Sequence, residues 1–165
     1  MYRAGDQVVY GTHGVCRITQ EEKRIVDRKM VTYLVLEPIG QPGSRYLVPT
    51  HNGPAMAKLR PMLSREEMQA LLTGDLVRRE DWIPEENLRR QYYRELIGSG
   101  DRERLLRMTY TLYRHRERQT EAGKKCHMSD ENFLRDLEKL LASEISQVMD
   151  IDAAQAKALL RESLK

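Results

Sequence analysis

The sequence predicts an α+β chain of two domains, a small, strongly bent β barrel over residues 1–60 followed by a compact helical bundle over residues 61–165. Two observations carry this. Short β-branched and aromatic runs, broken by Gly and Pro every few positions, fill the first sixty residues; after Ser64 the apolar residues recur at three- and four-residue spacing. The 40% hydrophobic content of 165 residues allows two small packed cores, and the 32% charge indicates a solvent-facing surface.

The β elements follow in order. Gln7–Tyr10 is a short apolar run after Gly5-Asp6, and Gly11 to Gly14 punctuate it. Val15 to Thr19 alternates as a second strand, and Arg24 to Val26 is read as the start of a third. Val31 to Leu36 is the strongest strand pattern in the chain. Pro38, Gly40, Pro42 and Gly43 mark a loop, and Arg45 to Val48 is the last strand, stopped by Pro49. Five short strands with close turns suggest the barrel. The domain boundary is expected between Lys58 and Ser64.

Five helices follow. Ser64-Arg65-Glu66-Glu67 has the form of a capping box and opens a helix that stops at Gly74. Pro84, Glu85 and Glu86 suit a first helical turn, and Leu88, Tyr92 and Leu96 give that helix an apolar stripe ending at Gly98-Ser99-Gly100. Asp101 caps a helix to about Ala122, with Leu105, Met108 and Leu112 inward. Ser129 is expected to cap a fourth, with Phe133, Leu137, Leu140, Leu141 and Ile145 facing a core, and Asp152 to Gln155 begin a fifth. Short connections make this a bundle.

Charge is uneven. Residues 1–60 carry nine basic and five acidic side chains, residues 78–125 thirteen and nine, and residues 126–165 five and eight. A phosphate-binding surface is therefore expected in the central helical part. No uncharged apolar run approaches the length of a membrane span, and Met1 to Asp6 lacks the apolar stretch of a signal peptide, so a cytoplasmic protein is expected. Cys16 and Cys126 read as reduced thiols.

Trp82, the only tryptophan, follows Arg78-Arg79-Glu80-Asp81 and precedes a helix start. Two readings stand: a staple packed on the bundle, or an exposed wedge that inserts between base steps in a minor groove. Arg104, Arg107, Arg114 and Arg118 share one helix face with Thr111, and Arg89, Arg90 and Arg94 decorate the preceding helix. These too read two ways, as a solvated face paired to Glu117 and Glu121, or as phosphate contacts, which arginine in place of lysine favours. Catalytic patterns are missing. The four histidines share no metal spacing with a cysteine pair, there is no phosphate-cradling glycine loop, and Glu66-Glu67 and Glu85-Glu86 suit helix first turns. No enzyme activity, metal, cofactor or small-molecule substrate is expected.

Gly5-Asp6-Gln7-Val8-Val9-Tyr10, His13-Gly14-Val15, Tyr33-Leu34-Val35-Leu36 and Val48-Pro49 resemble the CarD/CdnL family of bacterial transcription regulators and the polymerase-interacting domain of the transcription-repair coupling factor. Trp82, Ser99-Gly100-Asp101, Gly123-Lys124-Lys125 and Asp130 with Leu140-Leu141 extend the likeness to CarD-like proteins through the second half. A chain of 165 residues leaves no room for a helicase motor. The resemblance implies a Tudor-like barrel that grips the RNA polymerase β subunit by pairing a strand edge, with Arg24, Val26 and Leu47 at contact positions; relatives can carry an arginine where Leu47 stands. It also implies that Trp82 wedges into the minor groove of promoter DNA at the upstream edge of the bubble, joined by Arg89 and Arg90. Some relatives place those arginines almost directly after the tryptophan.

DNA contact without a base-reading motif would depend on shape rather than sequence, and the protein would be nucleoid-associated. The competing reading is a protein-interaction adaptor whose bundle never touches DNA. An RNA-binding barrel is disfavoured, because no aromatic stacking face is visible.

Overall fold

Apolar residues two apart along short strands build a small sheet, and residues three and four apart build the helices after it. The computed structural model describes all residues, Met1 to Lys165, which divide into two units, Met1–Met62 and Leu63–Lys165.

In the first unit, β1 (Gln7–Tyr10), β2 (Val15–Val26), β3 (Lys29–Pro38), β4 (Tyr46–Pro49) and β5 (Leu59–Pro61) form one antiparallel sheet in the order β4-β3-β2-β1-β5. Val8, Cys16, Ile18, Leu34, Leu36, Val48 and Leu59 make its core. The ladder ends at β4 and β5, so both present an unpaired backbone edge. A register shift between Ile18 and Gln20 places an extra residue in β2, the kind of bulge that bends a strand.

Two sequence expectations change here. Arg24 to Val26 does not begin a new strand; it ends β2, which runs unbroken for 12 residues. The run Gln20 to Lys23 is polar throughout, and this arm of the β2–β3 hairpin is solvated on both faces, so no core imposes an alternating pattern on it. The hairpin closes at Asp27 and Arg28, both with positive φ (49° and 63°), which fits a two-residue primed turn without its usual glycine. The sheet also gains β5, a strand of three residues whose Arg60 and Pro61, with Lys58 just before it, conceal it in the sequence. A short helix, α1 (Gly53–Met56), precedes it, capped by the Asn52 side chain.

The second unit contains α2 (Arg65–Thr73), α3 (Glu86–Ser99), α4 (Arg102–Glu121), α5 (Met128–Met149) and α6 (Ala153–Ser163). Capping boxes start α2, at Ser64 and Glu67, and α6, at Asp152 and Gln155. Asp101 caps α4, and Gly100 in the left-handed conformation (φ 65°) ends α3. Two starts differ from expectation. Pro84 lies outside α3, whose cap is the Glu85 carboxylate accepting from Asn87 and Leu88 N–H. Ser129 does not cap α5, which begins two residues earlier than such a cap would give, at Met128 after the cap position His127; its hydroxyl instead donates to Glu86 at 3.4 Å.

The core of this unit joins Tyr93 and Leu96 of α3, Leu105, Met108 and Leu112 of α4, Phe133, Leu137, Leu141 and Ile145 of α5, and Leu160 of α6. Leu140 packs partly buried at its margin. The stripe expected on α3 is rotated. Arg89, Tyr93 and Leu96 face inward, and Leu88 is 58% exposed. No helix is long and apolar enough to cross a membrane.

Candidate functional site

The sheet of the first unit collects three candidate residues on one face. Directly paired residues in an antiparallel ladder share a face, and residues two apart on one strand share it too. Arg24 is opposite Val31, Val26 opposite Lys29, and Leu47 opposite Val35. Positions 29, 31, 33 and 35 of β3 therefore carry all three onto the side away from the Leu34 and Leu36 core. Leu47 lies on the edge strand β4 and is half-buried; Val26 is 41% exposed near the hairpin turn. Along β3 the two ends of this surface, Lys29 and Val35, are about 20 Å apart.

Arg24 is exposed and tied to its own strand. Its Nε donates to Glu22 at 2.5 Å, and Arg45 reaches the other oxygen of Glu22 at 3.2 Å. The bond from Arg24 holds the Glu22 carboxyl below its ordinary pKa. On the opposite face of the hairpin arm, Ile25 (73% exposed) and Met30 (63% exposed) pair directly across the strands with no core beneath them.

The second unit builds its candidate site around Trp82. The charged residues before it are laid along α4. Arg118 forks onto Glu80 (2.9 and 2.6 Å), which holds that carboxyl below its ordinary pKa. Arg107 grips Asp81 (3.1 and 2.7 Å), and Asp81 N–H donates to Thr111 Oγ1 at 2.9 Å. Trp82 then stacks on His115, ring centroids 3.8 Å apart and planes 18° apart. The indole is half-buried and packed against the bundle core, so it combines features of the staple and of the exposed wedge.

Arg89 requires a correction. It was expected to face DNA, yet it is 1% exposed. Its guanidinium makes a two-point pair with Asp130 (2.8 and 3.0 Å) and donates to the carbonyls of Ile83 (2.9 Å) and Pro84 (3.2 Å). It also lies 4.3 Å from the centre of the Trp82 ring. Tyr93 donates to the same carboxylate at 2.8 Å, and burial, with Asp130 beside it, raises the Tyr93 hydroxyl far above its ordinary pKa. Four of the five N–H donors of Arg89 are thereby committed inside the protein, and its burial keeps the group from a phosphate. A buried arginine at a helix position flanked by Leu88 and Arg90 gives no sign in sequence; Asp130, 41 residues on, is the missing signal.

The other arginines divide. Arg90 and Arg94 are exposed, make no ion pair and flank a shallow depression of about 230 Å³ with Asn132 and Asp136. Arg107 is engaged by Asp81 and, at 3.5 Å, by Glu103; Arg114 pairs with Glu117 at 3.2 Å. The arginine face of α4 is thus largely met by carboxylates of its own unit. No group of three or more His, Cys, Asp or Glu side chains is placed to hold a metal ion.

The sheet of the first unit, with β4 and β5 at its two edges, coincides with the stretch of chain that a known domain family matches. Residues 2–61 match the family model described as the CarD-like/TRCF RID domain, so the N-terminal unit of this chain is a CarD-like domain.

Proposed function

We propose that the chain is a transcription regulator that binds the β subunit of bacterial RNA polymerase with its N-terminal sheet and promoter DNA with the Trp82 region, stabilising the open complex. The observation that carries this is the CarD-like match over residues 2–61, which supports an RNA polymerase-interacting role. The placement of Arg24, Val26 and Leu47 on one face ending at an edge strand suits addition of a partner strand. On the helical unit, a fixed, partly exposed indole with the free guanidinium groups of Arg90 and Arg94 on the helix that follows suits minor-groove contact with the phosphates alongside. Binding by such contacts is insensitive to sequence and follows the shape of the opening duplex. Tethering to polymerase raises the local concentration of DNA, so few phosphate contacts suffice.

One observation favours an adaptor that never touches DNA: Glu80, Asp81, Glu103 and Glu117 neutralise much of the α4 arginine face. Titration of the full chain against the isolated β-subunit lobe of a bacterial polymerase tests the docking half. Saturable binding is expected, weaker for Arg24→Glu, with the difference shrinking as salt rises. Absence of binding by the parent chain overturns the proposal. DNA crosslinking from position 82 within the polymerase–promoter complex separates the regulator from the adaptor.

A further inference from the structure

We propose that His115 is a positioning residue for Trp82, holding the indole in its presented orientation through the face of the imidazole ring. The inference rests on the reading of Trp82 as the DNA contact, and it assigns the residue that prepares that contact.

The segment 80–82 is not a free loop. It lies along α4 as a ladder, with Arg118 on Glu80, Arg107 and Thr111 on Asp81, and His115 under Trp82. Positions 107, 111, 115 and 118 are successive turns of one helix face, so the rungs share one register. From α3, Arg89 adds its guanidinium over the indole, itself locked by Asp130. The ring is therefore contacted from two helices by groups that are themselves fixed.

The chemistry at His115 indicates what the residue is there for. Its Nε2 is buried and has no hydrogen-bond partner. An imidazole used for hydrogen bonding or as a charge would not leave that atom bare, because an unpaired buried polar atom is destabilising. Burial lowers the pKa of His115, and the nearby Arg89, Arg118 and His127 act in the same direction against the pull of Asp130. At neutral pH the side chain is thus an uncharged flat ring, and its one close contact of defined geometry is the parallel stack on Trp82. A ring held this way has lost its rotamer freedom before DNA arrives, so the ordering cost does not fall on DNA binding.

The test uses the full chain with RNA polymerase on an open promoter complex, and four variants: Trp82→Ala, His115→Ala, His115→Leu and His115→Phe. The readouts are the dissociation rate of the open complex, affinity for polymerase, and the fluorescence anisotropy of Trp82, the sole tryptophan. His115→Leu keeps apolar volume without a ring face and guards against a cavity effect in His115→Ala.

The expected result is faster open-complex decay for His115→Ala and His115→Leu, by about three- to tenfold, the range an aromatic pair contributes. Trp82 anisotropy should fall in both, with polymerase affinity unchanged. His115→Phe keeps the ring and removes the bare nitrogen, and should restore decay and anisotropy to parental values. Parental decay in His115→Ala and His115→Leu, with fast decay in Trp82→Ala, overturns the positioning role. So does a His115→Phe variant that behaves like His115→Ala. If Trp82→Ala itself decays like the parent, the DNA reading fails instead. The anisotropies then decide whether His115 holds the ring, and parental values in His115→Ala and His115→Leu overturn that as well.

Discussion

Arg24 in the sheet and Arg89 in the bundle make the same bond to a carboxylate, and the two bonds mean different things. Arg24 meets Glu22 at the surface, where an ion pair contributes little to stability and exchanges readily for another charge. Arg89 meets Asp130 where both side chains are 2% exposed, with Tyr93 and two backbone carbonyls completing the shell. A buried pair gives little net stability over apolar packing, but losing one member leaves a bare charge in the core. The sheet arginine is available to a partner; the bundle arginine is committed to holding its own protein in shape.

The largest effect that this contrast predicts is at Asp130. Asp130→Ala should destabilise the chain by about 3–5 kcal/mol and lower its melting temperature by many degrees. Glu22→Ala should leave the melting temperature close to that of the parent, because an exposed ion pair contributes little to stability. Similar melting shifts for the two variants, by calorimetry, would erase the distinction.

Next is Trp82→Ala, expected to cost roughly 1–3 kcal/mol. That is less than the roughly 3–5 kcal/mol of a fully buried tryptophan, because the residue is only partly buried. Chemical denaturation checks this; a loss within error of zero would indicate that the stack on His115 does not persist in solution.

Arg90 and Arg114 sharpen the comparison on the DNA side. Arg90→Ala should flatten the salt dependence of DNA binding by about one unit, since its charge is unpaired. Arg114→Ala should flatten it by less, because Glu117 already offsets it. Equal slopes would show that the intrahelical pair opens on binding.

The smallest effect is expected at the hairpin turn. Arg28→Gly relieves a positive φ of 63° and should stabilise the N-terminal unit by under about 1 kcal/mol. A loss of stability would mean that the Arg28 side chain supports the turn.

The legible parts of the fold were those written in local pattern. Val31 to Leu36 is rich in β-branched and aromatic residues and lies within a strand; Ser64 and Glu67 spell a capping box and form one. Features set by distant residues were hidden. The continuity of β2 through Gln20 to Lys23 depends on β3 pairing across it, and the inward turn of Arg89 depends on Asp130. The same division runs through the candidate sites. Trp82 stood out as solitary and flanked by charge, but two of the charges before it, Glu80 and Asp81, zip the segment onto α4. His115 gave no signal at all, because a lone histidine among arginines reads as one more polar residue on a solvated helix. Periodicity reveals which side of a helix is apolar; it does not reveal which polar residue a neighbouring segment has claimed.

The central claim is that the chain acts on the open promoter complex through Trp82 while polymerase docking resides elsewhere. The direct measurement is the decay rate of competitor-challenged open complexes at saturating chain, compared for the parent and Trp82→Ala. The account predicts that the parent slows decay and that Trp82→Ala loses most of that slowing while binding polymerase with parental affinity. Equal slowing by both proteins, or none by the parent when it is bound to polymerase, would contradict it.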